Sequence, residues 1–307
     1  MTPRVTSQIV AHQLSSQIRR HSANLHAYNK AVASGISISK PSDDISKFHM
    51  SLYHRINYSR LSASIEHISF SSNILNAIVN ALTNANNLLT KAHLIASSGI
   101  DATLDQSTLA SMGEEVDMLL HNVLDIFNTD IYGSYLFSGD SLTIRPFSIA
   151  SYNTNGRINS IVYTGSTNNS TGIITHTQTI PLYLAGGTIE QSGGNSIFQA
   201  LIDLRDALLT NSPQRTNAIT NAMHSIEVAR DRISEYTGIV SSRLSVLRDL
   251  QERFDALRLE HKSIQSNLES TDYAEAIVKL NESQYLLQAS MAITARYYSY
   301  SFLDYIA

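Results

Sequence analysis

No cysteine occurs among the 307 residues, which excludes disulfide frameworks, thiolate-ligated zinc and thiol catalysis together. Charge is thinly spread: 22 basic and 26 acidic residues give a formal net charge of −4, without the basic run that marks a nucleic-acid or polybasic membrane contact. No apolar stretch approaches the roughly eighteen residues of a membrane span, and the opening Met1-Thr2-Pro3-Arg4 lacks the apolar core of a secretory signal. The motifs of enzyme chemistry are missing too, with no Gly-x-Ser-x-Gly, Walker-type phosphate loop, His-Glu-x-x-His or Gly-x-Gly-x-x-Gly. The 11 histidines are dispersed. In sequence the closest, His21 with His26 and His49 with His54, stand one position off a shared helical face. These absences point away from an enzyme, and no catalytic residue, cofactor or metal ligand is expected.

Proline is sparse, and its positions at 3, 41, 146, 181 and 213 leave Ser42 to Arg145 and Gln214 to Ala307 without an obligatory helix breaker. Both stretches carry helical periodicity. In a first helix, Leu14, Ile18, His21, Leu25, Tyr28 and Val32 step by four and three, and Gly35 is a suitable residue just past its end. A second helix is expected after Pro41, with Ser42 as N-cap and Asp43 and Asp44 in the first turn, where the helix dipole favours negative charge. Leu61, Ile65, Ile68, Ser72, Leu75, Val79, Leu82, Asn86, Leu89, His93 and Ala96 continue the alternation as a coiled-coil-like seam. Past Gly99, Leu109, Met112, Val116, Leu119, Val123 and Ile126 predict a third helix folded back on the second. The C-terminal arm repeats every seven residues through Ile219, Ile226, Ile233, Val240, Leu247, Phe254, His261 and Leu268. A helix from Gln214 to Ser270 would be about 85 Å long at 1.5 Å per residue and must lie along a partner, for which the N-terminal arm is the natural choice.

Glycine concentrates in the middle, where eight of the 13 fall between Gly139 and Gly194. There Arg157 to Thr164 and Gly172 to Leu184 are rich in β-branched residues bounded by Gly, Asn and Pro, as short strands are. Asn168-Asn169-Ser170-Thr171 reads as an exposed loop or a surface- or glycan-binding one. The fold expected is mainly α with an inserted β domain: a long antiparallel helical hairpin or coiled-coil rod built from the N- and C-terminal arms. Beyond Thr271 the tail is apolar on more than one helical face, and within the last 34 residues its charges are confined to Glu275, Lys279, Glu282, Arg296 and Asp304. Such a helix is buried, either within its own chain or against neighbouring copies.

Three stretches carry a family resemblance. Ala33-Ser34-Gly35-Ile36-Ser37-Ile38-Ser39-Lys40-Pro41-Ser42-Asp43-Asp44 is similar to the turn between the first two helices of the flagellin superfamily. Tyr135-Leu136-Phe137-Ser138-Gly139 with Pro146-Phe147 resembles the exit from that family's first helical block, and Leu287-Gln288-Ala289-Ser290 through Ser301-Phe302-Leu303-Asp304-Tyr305-Ile306 resembles its tail. Val162-Tyr163-Thr164-Gly165 and Ile197-Phe198 resemble a strand and the re-entry into helix. Where true flagellins follow the paired aspartates with Ala-Ala-Gly, this chain has Ile45-Ser46-Lys47, which favours a hook-associated junction role over that of filament subunit.

The resemblance implies terminal helices of an inner core at 1–41 and 272–307, disordered in a lone copy, a helical rod at 42–139 and 195–271, and a small β domain at 140–194. It implies a secreted structural junction protein of the bacterial flagellum, forming a ring that adapts the hook to the filament. The implied partners are copies of itself, hook-associated protein 1 (FlgK), flagellin and a cytosolic export chaperone of the FlgN kind, with exit through the flagellar type III channel. Leu14, Ile18, Leu25, Leu286, Ile293 and Leu303 are the candidate assembly interface. Ser34, Gly35, Pro41, Ser42, Asp43 and Asp44 form the candidate structural turn. The alternatives are a flagellin filament subunit and an intracellular coiled-coil scaffold.

Overall fold

The computed structural model describes residues 3–101, 103–175, 177–192 and 195–306. In chain order the elements are α1 (Pro3–Ser34), α2 (Ile45–Gly99), α3 (Gln106–Phe127), β1 (Asp130–Ile131), β2 (Ser134–Tyr135), β3 (Phe147–Tyr152), β4 (Ile158–Tyr163), β5 (Thr171–Thr175) and β6 (Gln178–Pro181). There follow α4 (Gly186–Glu190), β7 (Gln191–Ser192), β8 (Asn195–Ser196), α5 (Ile197–Leu209), α6 (Arg215–Glu269) and α7 (Tyr273–Ile306). The chain is thus mainly helical, with strands confined to antiparallel hairpins in its middle. Two compact units result, Leu61–Asp255 and, from the two ends, Met1–Arg60 with Ala256–Ala307.

The central unit is organised by the seven-residue period. On α6, Ile219, Ile226, Ile233, Val240 and Leu247 are all fully buried, with Ala222 and Ala229 filling the adjoining positions. On α2 the expected seam of Ile68, Leu75, Leu82, Leu89 and Ala96 is fully buried, and so is a second one, Ile74, Ile78, Ala85 and Ala92. With two stripes covered, α2 meets neighbours on two sides, and Leu109, Val116, Leu120 and Val123 of α3 join the same core. Fully burying one such aliphatic side chain contributes about 1.5–3 kcal/mol, so the seams rather than intrinsic propensity hold these helices.

The β hairpins share that core. Ile158, Ile174, Leu182, Tyr183 and Leu184 are buried in it. The link is a cluster of phenyl rings: Phe127 of α3 lies 5.0 Å from Phe137, 5.5 Å from Phe147 and 5.8 Å from Phe198 of α5. Three of those four rings belong to the stretches that carry the family resemblance, so these motifs are the plugs that join helices to strands. Asn169, part of the expected loop, accepts the Ala185 N–H through its side chain, and Ser170 O accepts from Leu182 N. That stretch holds the hairpin entry in place.

Ser196 begins α5 by accepting the Gln199 N–H, as an N-cap serine does. On its inner face Arg205 is fully buried and donates to Asp117 of α3, Asp206 and the Ile158 carbonyl of β4, each at 2.8 Å. One guanidinium thereby fastens α3, α5 and β4. Arg205→Ala should lower the unfolding free energy by about 3–5 kcal/mol, because it strands a carboxylate beside an apolar core. Urea melts followed by circular dichroism would measure it.

Candidate assembly interface

The terminal unit is built where both arms of the chain break at one level. Helix α1 stops at Ser34 because Gly35 takes a left-handed conformation with φ of 70° and returns its N–H to Ala31 O at 2.9 Å. The Ser34 hydroxyl donates to Lys30 O and accepts from Ile36 N. Ile36 then forms an antiparallel bridge with Ser270, flanked by Ser37 N to Glu269 O at 2.8 Å and Thr271 N to Gly35 O at 3.0 Å. The break after α1 is thus pinned to the break after α6.

The start of α2 differs from expectation. The helix begins at Ile45, and its N-cap is Asp44, whose carboxylate accepts the Lys47 N–H at 2.9 Å. Ser42 is not the cap: it lies with Pro41 and Asp43 in the exposed turn before the helix. Asp43 is not a first-turn residue either. Its carboxylate reaches back to the N–H groups of Ser39 and Lys40, at 3.0 and 3.1 Å. Lys40 and these N–H donors outweigh the opposing effect of desolvation and hold the Asp43 carboxyl below its usual range. Two consecutive aspartates divide the work, one closing the loop and the other starting the helix, a division invisible to a pattern that scores both as helix-start signals. Within this turn Ile38 is the buried side chain.

Sequence reasoning passed over two residues. Asp272 caps α7, accepting from Ala274 N and Glu275 N at 2.9 and 3.2 Å; its spacing to Glu275 matches a known helix-start pattern and was a usable signal. Glu269 gathers Ser51, Arg55 and Gln265 around its carboxylate. Its main partners lie more than two hundred positions away, so no local pattern announces it.

Above these breaks α1 and α7 pack on one another. On α1 the half-buried stripe runs through Leu14, Ile18, His21, Leu25, Tyr28 and Val32. On α7 the sheltered positions are Ala276, Leu280, Ser283, Leu287, Ser290, Thr294 and Tyr297, again by fours and threes. Three of them spaced seven residues apart, Ala276, Ser283 and Ser290, are small, and small contact residues let two helix axes approach. Several large side chains of α7 face the other way: Tyr285 is 72% exposed, Ile293 57% and Met291 52%, with Leu286 and Tyr298 exposed as well. Leu14, Ile18 and Leu25 therefore lie on the seam between the chain's own ends, whereas Leu286 and Ile293 lie on the outer face. Leu303 falls within α7, and its side chain is outside the described residues. These exposed apolar side chains make the outer face of α7 the candidate contact surface. Among the described residues no helix is long and apolar enough to cross a membrane, and no group of three or more His, Cys, Asp or Glu could hold a metal ion.

Residues 5–141 match the bacterial flagellin N-terminal helical region; no curated protein matches the chain in sequence. Among solved structures, a flagellar hook-associated protein from Vibrio parahaemolyticus superimposes with a TM-score of 0.68 at 16% identity, over 74% of this chain and 100% of that one. FlgL from Legionella pneumophila gives 0.59 at 14% identity over 72% and 100%, and FlgL from Bacillus cereus 0.56 at 18% over 71% and 99%. The N-terminal part of the chain is thus of the flagellin type, and the fold is that of the hook-associated proteins named FlgL.

Two outcomes test the local reading. Gly35→Ala should destabilise the terminal unit by about 1–2 kcal/mol, the cost of a side chain in left-handed backbone, and Gly35→Asn should cost less; melts of both variants compare them. For Glu269, burial opposes the charge, yet donors from Ser51, Arg55 and Gln265 outweigh it and hold the carboxyl below its usual range. Its stabilisation is therefore complete above the unfolded carboxylate pKa of about 4.3 and is lost as pH falls through the lower native value. Glu269→Gln should flatten this acid limb of the stability curve.

Proposed function

We propose that the protein is a structural subunit at the hook–filament junction of the bacterial flagellum, where copies form a ring between hook-associated protein 1 and the first flagellin layer. The observation that carries this reading is the outward apolar face of α7, with Leu286, Ile293, Tyr285, Met291 and Tyr298 exposed while a separate stripe from Ala276 to Tyr297 is sheltered. Burying that face requires copies or relatives of the same helix pair, and a ring between two homologous layers supplies them above and below. The flagellin-type region and the hook-associated fold support it. The three-part division into terminal helices, rod and β insertion follows from the same reading. In a lone copy the terminal helices lack their neighbours, and ordering each residue costs about 1–2 kcal/mol, so assembly and folding of the tips are coupled. Passage through the flagellar export channel, and shielding of the C-terminal arm by a cytosolic chaperone of the FlgN kind, belong to this proposal.

The filament subunit is the second reading, favoured by the flagellin-type N-terminal region. Copy number separates the two: immunogold on intact flagella should mark one band beside the hook, whereas labelling along the filament would select the subunit. A strain lacking the gene should keep hooks and shed flagellin into the medium. The pair Leu286→Asp and Ile293→Asp should abolish complementation of that strain while leaving the melting of the central unit unchanged.

A further inference from the structure

Two histidines that the sequence holds far apart meet in the terminal unit. His54 of α2 and His261 of α6 place their Nδ1 atoms 2.8 Å apart, with ring centroids at 5.0 Å and both side chains half-buried. We propose that this pair is a proton-sensitive clasp that closes the α2–α6 contact when at most one of the two rings is charged and releases it when both are.

The geometry sets the rule. A hydrogen bond between two Nδ1 atoms needs one as donor and the other as acceptor, which a neutral pair or a singly protonated pair can supply. With both rings protonated, two N–H donors face each other and two positive charges adjoin. The surroundings offer no relief. From α2, the Tyr53 ring packs against both imidazoles, at 5.4 and 6.4 Å, and Arg55 adds a cation that is held by Glu269. From α6, Lys262 sits over the Tyr58 ring, Arg258 stands one turn before His261, and exposed Glu260 precedes it in sequence. Glu269, the buried-side carboxylate of this contact, is already engaged by Ser51, Arg55 and Gln265. Among the described residues no third histidine, cysteine or carboxylate joins the pair to make a metal site.

The open segment thus binds one proton more than the closed one. By linkage, acid favours the open segment, and closure weakens as pH falls.

The test is hydrogen exchange by mass spectrometry on the full chain, corrected for intrinsic rates. Peptides within 45–60 and 256–269 should exchange several-fold faster at pH 5 than at pH 7.5, and His54→Gln/His261→Gln should remove most of that dependence. Equal acceleration in both proteins, or none in the wild type, overturns the proposal. Should the double variant fold poorly, long-range proton–nitrogen spectra of the wild-type imidazoles decide. One Nδ1 protonated and the other not at pH 7.5, with the rings titrating in two coupled steps, supports the clasp. Two independent single-step titrations defeat it.

Discussion

Two backbone hydrogen bonds, from Ser37 to Glu269 and from Thr271 to Gly35, join parts of the chain more than 230 residues apart. They set the register in which the two ends meet. If Gly35 could not turn left-handed, α1 would run on and these bonds would be lost. The small face of α7 would then no longer lie along the Leu14–Val32 stripe. The pairing of the chain's ends therefore rests on one glycine and one short antiparallel bridge rather than on the strength of the helices themselves.

Helix pairing also explains why the tail is so apolar. A helix that touched only its partner in the same chain would need a single covered stripe, and α7 has that stripe in alanine, serine, threonine and leucine. Tyr285, Tyr298, Met291 and Ile293 are superfluous to that contact and are turned outward. Tail composition is thus the sum of two demands, a close intramolecular seam and a wide external face, which a count of apolar residues cannot separate.

Much of the architecture was legible because the seven-residue period directly encodes which side of a helix is covered. Ile219 through Leu247 and Ile68 through Ala96 are buried as their spacing predicts. The second α2 stripe from Ile74 to Ala92 was legible in principle, but its alanines weaken the signal. At helix starts the sequence was ambiguous: Ser42, Asp43 and Asp44 are all competent caps, and only the path of the loop selects Asp44. Arg205, Glu269 and the His54–His261 pair were hidden for a different reason. Each is defined by partners on other elements, and His261 in isolation is merely a polar interruption of a heptad.

The four phenyl rings that plug the strands onto the helices have no ionisable atom among them. Their cohesion is indifferent to acidity and nearly so to salt, in contrast to the Glu269 carboxylate near the chain's ends. A drop in pH consequently acts on the molecule unevenly, easing that carboxylate's contacts while the phenyl packing under the hairpins is untouched.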